Sequence, residues 1–128
     1  MEIIYSYGFE DAIRDGDLRL VTIDVPEARF PLGVIVATRG IAYATDRTLA
    51  AESSRLPVRL APEFEEMIRA HARGEWGDLC EEDIEMNEKA LHRGYRLLSS
   101  YRSADGEMVW VITEADRSLT TILFASEY

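Results

Sequence analysis

The sequence predicts an α+β fold: an antiparallel three-stranded C-terminal meander plus one or more N-terminal strands, packed against two or three helices. Three observations predict it. Residues 95–124 hold three β-rich runs separated by the turn signals Asp105-Gly106 and Asp116-Arg117-Ser118. Residues 61–93 hold two helical periods broken near Gly74. Leu18–Ile23 is a β-rich run ahead of both. At 128 residues the chain has the length of one domain, 1–128, with an N-terminal part over 1–60 and a helix–helix–meander core over 61–128.

Each element has its own local reason. Ile3-Ile4 opens a short apolar stretch, and Phe9, Ala12 and Ile13 follow at helical spacing before Gly16 stops the helix. Leu18 and Leu20 face one way and Val21 and Ile23 the other, until Pro26 and Pro31 end the strand. Gly33–Ala37 is an apolar run too short for periodicity to decide between strand and helix. Thr38 is placed to cap a helix through Ala44, weakened by Gly40. Residues 45–60, with Ser53-Ser54 and Pro57, read as a surface loop.

Pro62 starts the next helix, since a proline in the first turn sacrifices no hydrogen bond. Phe64, Met67, Ile68 and His71 share one face of it. A second helix runs from about Glu81 to Arg93, acids at its start and bases at its end in the order the macrodipole favours, with Gly94 as its terminator. The strand Glu107–Thr113 is apolar on both faces and so belongs in the middle of a sheet. Its Trp110 and Ile112 are expected to pack with Phe64, Ile68 and Leu91 in one core.

Charge is the strongest compositional signal. Twenty-four acids oppose fourteen bases, a net of −10. Residues 62–93 concentrate ten of those acids against four bases. Phosphate is repelled by such a chain, so direct nucleic-acid binding is not expected and a basic protein surface is the expected partner. No apolar run approaches the roughly 18–20 residues of a membrane span, so no membrane association is expected. Met1–Tyr5 has no basic, signal-like stretch, and the single cysteine, Cys80, cannot form an internal disulfide; a cytoplasmic location is expected.

The chemistry-bearing motifs are few. His71, Glu75 and Asp78 lack metal-ligand spacing, and neither a phosphate-binding glycine loop nor a dinucleotide fingerprint is present, so no metal and no cofactor are expected. His71 reads as a packed, hydrogen-bonded core residue and His92 as a helix-terminal charge. Trp76-Gly77-Asp78-Leu79 reads either as a buried corner, with Asp78 capping the following helix, or as an exposed aromatic anchor in an acidic surround. The polar run 113–121 reads as a braced turn in which Arg117 bonds Asp116, Glu114 or a backbone carbonyl, or as a site with Arg117 as an anion clamp.

From Arg73 to Tyr128 the chain resembles a group of small proteins carried by plasmids, integrating elements and phages. The matching pieces are Gly74–Leu79, Glu82-Asp83, Asn87, Gly94–Tyr101 and, most distinctively, Val109–Ser118 with Thr120-Thr121 and Glu127-Tyr128. Ser100 stands where that group usually has alanine, and Phe124-Ala125 replaces an apolar–proline pair. Residues 1–24, especially Tyr5–Gly16, more loosely resemble the opening of another plasmid-borne group. The resemblance implies a mobile-element setting rather than a reaction.

Two functions fit these readings. The first is an acidic accessory protein that binds another protein, as a nucleic-acid mimic against a CRISPR effector or a restriction enzyme. Its binding residues would be Glu63, Glu66, Trp76, Asp78, Glu81, Glu82 and Glu85, with the acids exposed on one continuous surface. The second is a metal-independent, ribonuclease-like toxin with Glu114 as base, Arg117 as cation and Thr120 in a hydroxyl-rich pocket.

Overall fold

The computed structural model describes residues 9–51 and 56–128; the Ile3-Ile4 stretch and Ser53-Ser54 lie outside them. The fold is α+β, a five-stranded mixed sheet with helices packed against it. The strands are β1 (Leu18–Leu20), β2 (Val34–Thr38), β3 (Leu97–Arg102), β4 (Met108–Thr113) and β5 (Leu119–Phe124). The helices are α1 (Phe9–Arg14), α2 (Arg39–Thr45), α3 (Arg47–Ala51), α4 (Pro62–Ala72) and α5 (Glu81–Arg93), and a 3₁₀ turn closes the chain at Ala125–Glu127.

The strand order is β1-β2-β5-β4-β3. The C-terminal meander forms as expected, with β4 between its two antiparallel partners, Ile112 opposite Leu98 on one side and Thr121 on the other. The sheet as a whole is not antiparallel, because β2 joins β5 in parallel, Val36 beside Thr121. The ambiguous run 33–37 is thus a strand, held by a neighbour more than eighty residues away, a contact that local periodicity does not encode. The expected loop 45–60 contains α3, and Asp46 starts it by accepting the Thr48 N–H at 2.9 Å.

The β3–β4 connection is longer than a two-residue hairpin. Ser103 and Glu107 still pair, leaving Ala104-Asp105-Gly106 as a three-residue loop with Gly106 in the left-handed region at φ 84°. Between β4 and β5, Glu114 pairs with Leu119, and Arg117 takes the left-handed conformation, φ 62°, in the loop they close. The Asp116 carboxylate accepts both the N–H and the hydroxyl of Ser118, at 3.0 and 2.6 Å. Those bonds hold its pKa below the usual carboxylate range.

The two sheet faces carry separate cores. One presents Ala37, Leu97, Val109, Val111 and Ile122 to Phe64, Met67, Ile68 and Ala72 of α4, with Phe30, Trp76 and Ala90 around them. The other splits into two clusters: Leu18, Val36 and Leu119 under Ala12 and Ile13 of α1, and Ile112 and Leu123 with Leu98 and Trp110. The single core expected around Trp110 is therefore corrected. Strand residues alternate faces, so Val109 and Val111 meet α4 while Trp110 and Ile112 point away from Phe64 and Ile68. Leu91 does pack, half-buried, on the α4 side.

Both outer edges of the sheet are partly covered. On β1, Val58 accepts from Thr22 N–H and donates to the Leu20 carbonyl. On β3, Asp78 N–H donates to the Ser100 carbonyl at 2.6 Å and Ser100 N–H to the Trp76 carbonyl at 3.1 Å. Two residues earlier on β3, the Asn87 side chain donates to the Leu98 carbonyl at 2.6 Å and accepts from Leu98 N–H at 3.2 Å. A side-chain amide has the donor and acceptor of a peptide group, so Asn87 stands in for a sixth strand. These bonds occupy edge groups that would otherwise be open to pairing with another chain.

Candidate functional site

The polar motif of the last two strands is organised around His71. It is fully buried beneath Phe30 and Trp76, whose rings lie 5.4 and 5.7 Å from the imidazole. Its Nδ1 lies 2.5 Å from Ser99 Oγ and its Nε2 2.9 Å from Thr113 Oγ1. Thr113 in turn reaches Thr120 Oγ1 at 2.8 Å, and Thr120 donates to the Leu32 carbonyl at 2.7 Å.

That last acceptor fixes the direction of the chain. Thr120 spends its hydrogen on a carbonyl, so Thr113 must donate to Thr120, and His71 Nε2–H must donate to Thr113. Ser99 then donates to Nδ1. Every donor is satisfied only with a neutral imidazole. Burial first, and the nearby Arg117 charge second, push the His71 pKa down to about 3. The network joins α4, β3, β4, β5 and the loop before β2 without reaching solvent.

Arg117 braces the same end of the sheet. It donates to the carbonyls of Tyr95 (2.7 Å), Ala90 (2.9 Å), Glu114 (3.2 Å) and Ala115 (3.3 Å). Its guanidinium also lies 5.8 Å from the Phe30 ring centre. The expected bond to Glu114 or a backbone carbonyl is therefore made, through carbonyls, one of them at the end of α5. The three residues of the ribonuclease reading do not converge. Thr120 is sealed in the core, Arg117 is committed to carbonyls, and the Glu114 carboxylate lies 3.4 Å from Arg96. His71, Glu75 and Asp78 do not meet either, and no group of three or more possible metal ligands occurs among the described residues.

The corner motif is a clamp rather than an anchor. Trp76 is 4% exposed and donates from Nε1 to Glu88 at 2.8 Å, which corrects its assignment as an exposed binding residue. That bond, together with Arg29, lowers the Glu88 pKa. Gly77, at φ 77°, lies so close to the Ser100 carbonyl that a Cβ would collide with backbone. Asp78 does not cap α5: the N-cap residue is Cys80, which makes no side-chain cap bond. The cap of α2 also comes from elsewhere. Thr38 donates to Glu127 at 2.6 Å, and it is the Glu127 carboxylate that accepts Gly40 N–H, at 3.0 Å. Gly40 leaves the space that this carboxylate fills.

The acids of residues 62–93 divide into two sets. Those of α4 and the corner are engaged: Glu63 accepts Ala104 N–H, Glu65 pairs with Arg59 and Arg69, and Glu66 and Glu75 share Arg73. Those of the first turns of α5 are not. Glu81, Glu82, Asp83 and Glu85 are exposed, and among the described residues none makes an ion pair. Asp78, just before them, is exposed with a loose contact of 3.9 Å to Arg102. Of the seven binding residues expected, Asp78, Glu81, Glu82 and Glu85 thus fall on one helix start, Glu63 and Glu66 are exposed but partnered, and Trp76 is interior.

Sequence reasoning missed Met86. It is 57% exposed on the outer face of α5 among Glu82, Asp83, Glu85 and Lys89. The signal was its position, four residues after Glu82 and outside the inward set Ile84, Asn87 and Leu91. A second exposed apolar feature lies on the opposite face of the sheet, a cavity of about 230 Å³ lined by Arg96, Leu98, Trp110, Ile112 and Tyr128. No helix among the described residues is long and apolar enough to cross a membrane. No family model, curated protein or solved structure matches the chain.

Proposed function

We propose that this chain is an accessory protein of a mobile element that binds a basic protein surface through the start of α5. The target class is the nucleic-acid channel of a host defence complex, a CRISPR effector or a restriction enzyme. The observation that carries the reading is the set of four exposed carboxylates, Glu81, Glu82, Asp83 and Glu85, which pair with no cation among the described residues while the acids of α4 are engaged. Closely spaced, unneutralised carboxylates on a rigid helix present to a basic groove the charge that a phosphate backbone would present. The resemblance of residues 73–128 to mobile-element proteins supports the setting.

The test is cleavage by purified CRISPR effectors and restriction enzymes with this protein added before or after DNA. Inhibition is expected only when the protein is added first, and it should weaken steeply as salt rises. The combined Glu81→Gln, Glu82→Gln, Glu85→Gln variant should need about tenfold more protein for the same inhibition, as expected for losing roughly 1.4 kcal/mol of attraction. Inhibition that is unchanged in this variant, or absent throughout the panel, contradicts the proposal.

A further inference from the structure

The outer stripe of α5 has a second property, independent of the function proposed above. Glu82, Met86, Lys89 and Arg93 follow the helical spacing i, i+4, i+7, i+11 and fall within an arc of about 60° at 100° per residue. All four are exposed, and Glu85 flanks them. The inward positions are different ones: Asn87 and Ala90 are buried, and Ile84 and Leu91 pack on the core. Among the described residues Glu82, Glu85, Lys89 and Arg93 make no ion pair, so the stripe carries two acids, an exposed methionine and two bases, in that order.

Such a stripe is neutral as a whole and complementary to its own reverse. When two copies meet antiparallel about a two-fold axis near the helix centre, Glu82 faces Arg93 of the second copy. Glu85 faces Lys89 in the same register, because both pairs are centred on residues 87–88. Met86 then lies on the aliphatic stem of the opposing Lys89. A parallel meeting would set like charges against each other.

We infer that a second copy of this chain docks on the outer stripe of α5, forming an antiparallel, two-fold symmetric dimer. In such an interface each pair occurs twice. One helix of 13 residues is about 20 Å long, so the contact is smaller than a standard interface of about 1,600 Å² and the dimer is weak. At physiological ionic strength, screening over about 8 Å mutes the repulsion between two chains of −10 while leaving the contacting pairs in place. A second copy covers Glu82 and Glu85, so dimerisation and capture of a basic partner exclude one another.

Sedimentation equilibrium of the purified protein, with nothing added, tests this. The weight-average mass should rise from 14.5 kDa towards twice that value with concentration. Glu82→Arg alone and Arg93→Glu alone should each weaken association about tenfold or more, because each places like charges together at both ends of the interface. The combined Glu82→Arg, Arg93→Glu variant should restore it, since the swapped charges again face opposites. Circular dichroism confirms that each variant is folded, and a variant that is not is replaced by the Glu85→Lys, Lys89→Glu set. A mass fixed at 14.5 kDa, a dimer indifferent to the single reversals, or a double swap that fails to restore association overturns the inference. No basic partner is present in this experiment, so a failed dimer overturns the inference while the cleavage assay separately decides the proposed function.

Discussion

At the scale of single residues, the histidine is informative because its surroundings permit one protonation state. His71 was legible as a core residue from its place on the apolar face of α4. Its partners were not, because Ser99, Thr113 and Thr120 reach it only through strand pairings made far along the chain. The folded-state pKa near 3 lies below the unfolded value of about 6.5, so between these values the unfolded chain binds the proton and the folded chain does not. The stability contribution is complete above about pH 6.5 and is lost as pH falls towards 3, at roughly 1.4 kcal/mol per pH unit. Urea unfolding at pH 7 and pH 5 should show this loss in the wild type, superimposed on any carboxylate contribution. His71→Gln should be less stable at pH 7 and should lack the histidine component of the slope. Equal pH slopes in the two proteins would mean that the imidazole is not held neutral.

At the scale of elements, the sequence spoke clearly where a rule is local. Pro62 opens α4, Gly94 in the left-handed region closes α5, and the alternation in β4 marks a central strand. It was silent where an element depends on a distant one. The parallel pairing of β2 with β5, the Glu127 cap on α2 and the amide of Asn87 on β3 each link residues with no local pattern in common. Trp110 was misplaced for a related reason: alternation shows that two faces exist, not which one a helix covers. The Asn87 contact predicts a specific failure. Asn87→Leu strands the Leu98 N–H and carbonyl at the sheet edge, which should cost about 2–3 kcal/mol. It also frees that edge to pair with other chains. Chemical denaturation should show the loss, and light scattering should show aggregation that rises with concentration. A variant as stable and monodisperse as the wild type would remove Asn87 from the edge clamp.

At the scale of the whole molecule, a frame is distinct from a proposed face. The motifs that stand out in the sequence, Trp76–Leu79 and the 113–121 run, build the frame: the first seals the β3 edge, and the second carries the buried hydroxyl chain and the Arg117 brace. The first turns of α5 carry the proposed face, legible in the sequence as charge but not as the unpaired subset of that charge, which only the partners of the α4 acids define. The separation is tested most directly by thermal melting of Arg117→Ala beside the combined Glu81→Gln, Glu82→Gln, Glu85→Gln variant. Arg117→Ala should lose roughly 2–4 kcal/mol, since several carbonyls forfeit a charged donor. The glutamine variant should lose about 1 kcal/mol or less, the scale of exposed charges in a helix's first turn. A melting temperature in Arg117→Ala equal to that of the wild type, or a larger loss in the glutamine variant, would contradict the division of the molecule into frame and face.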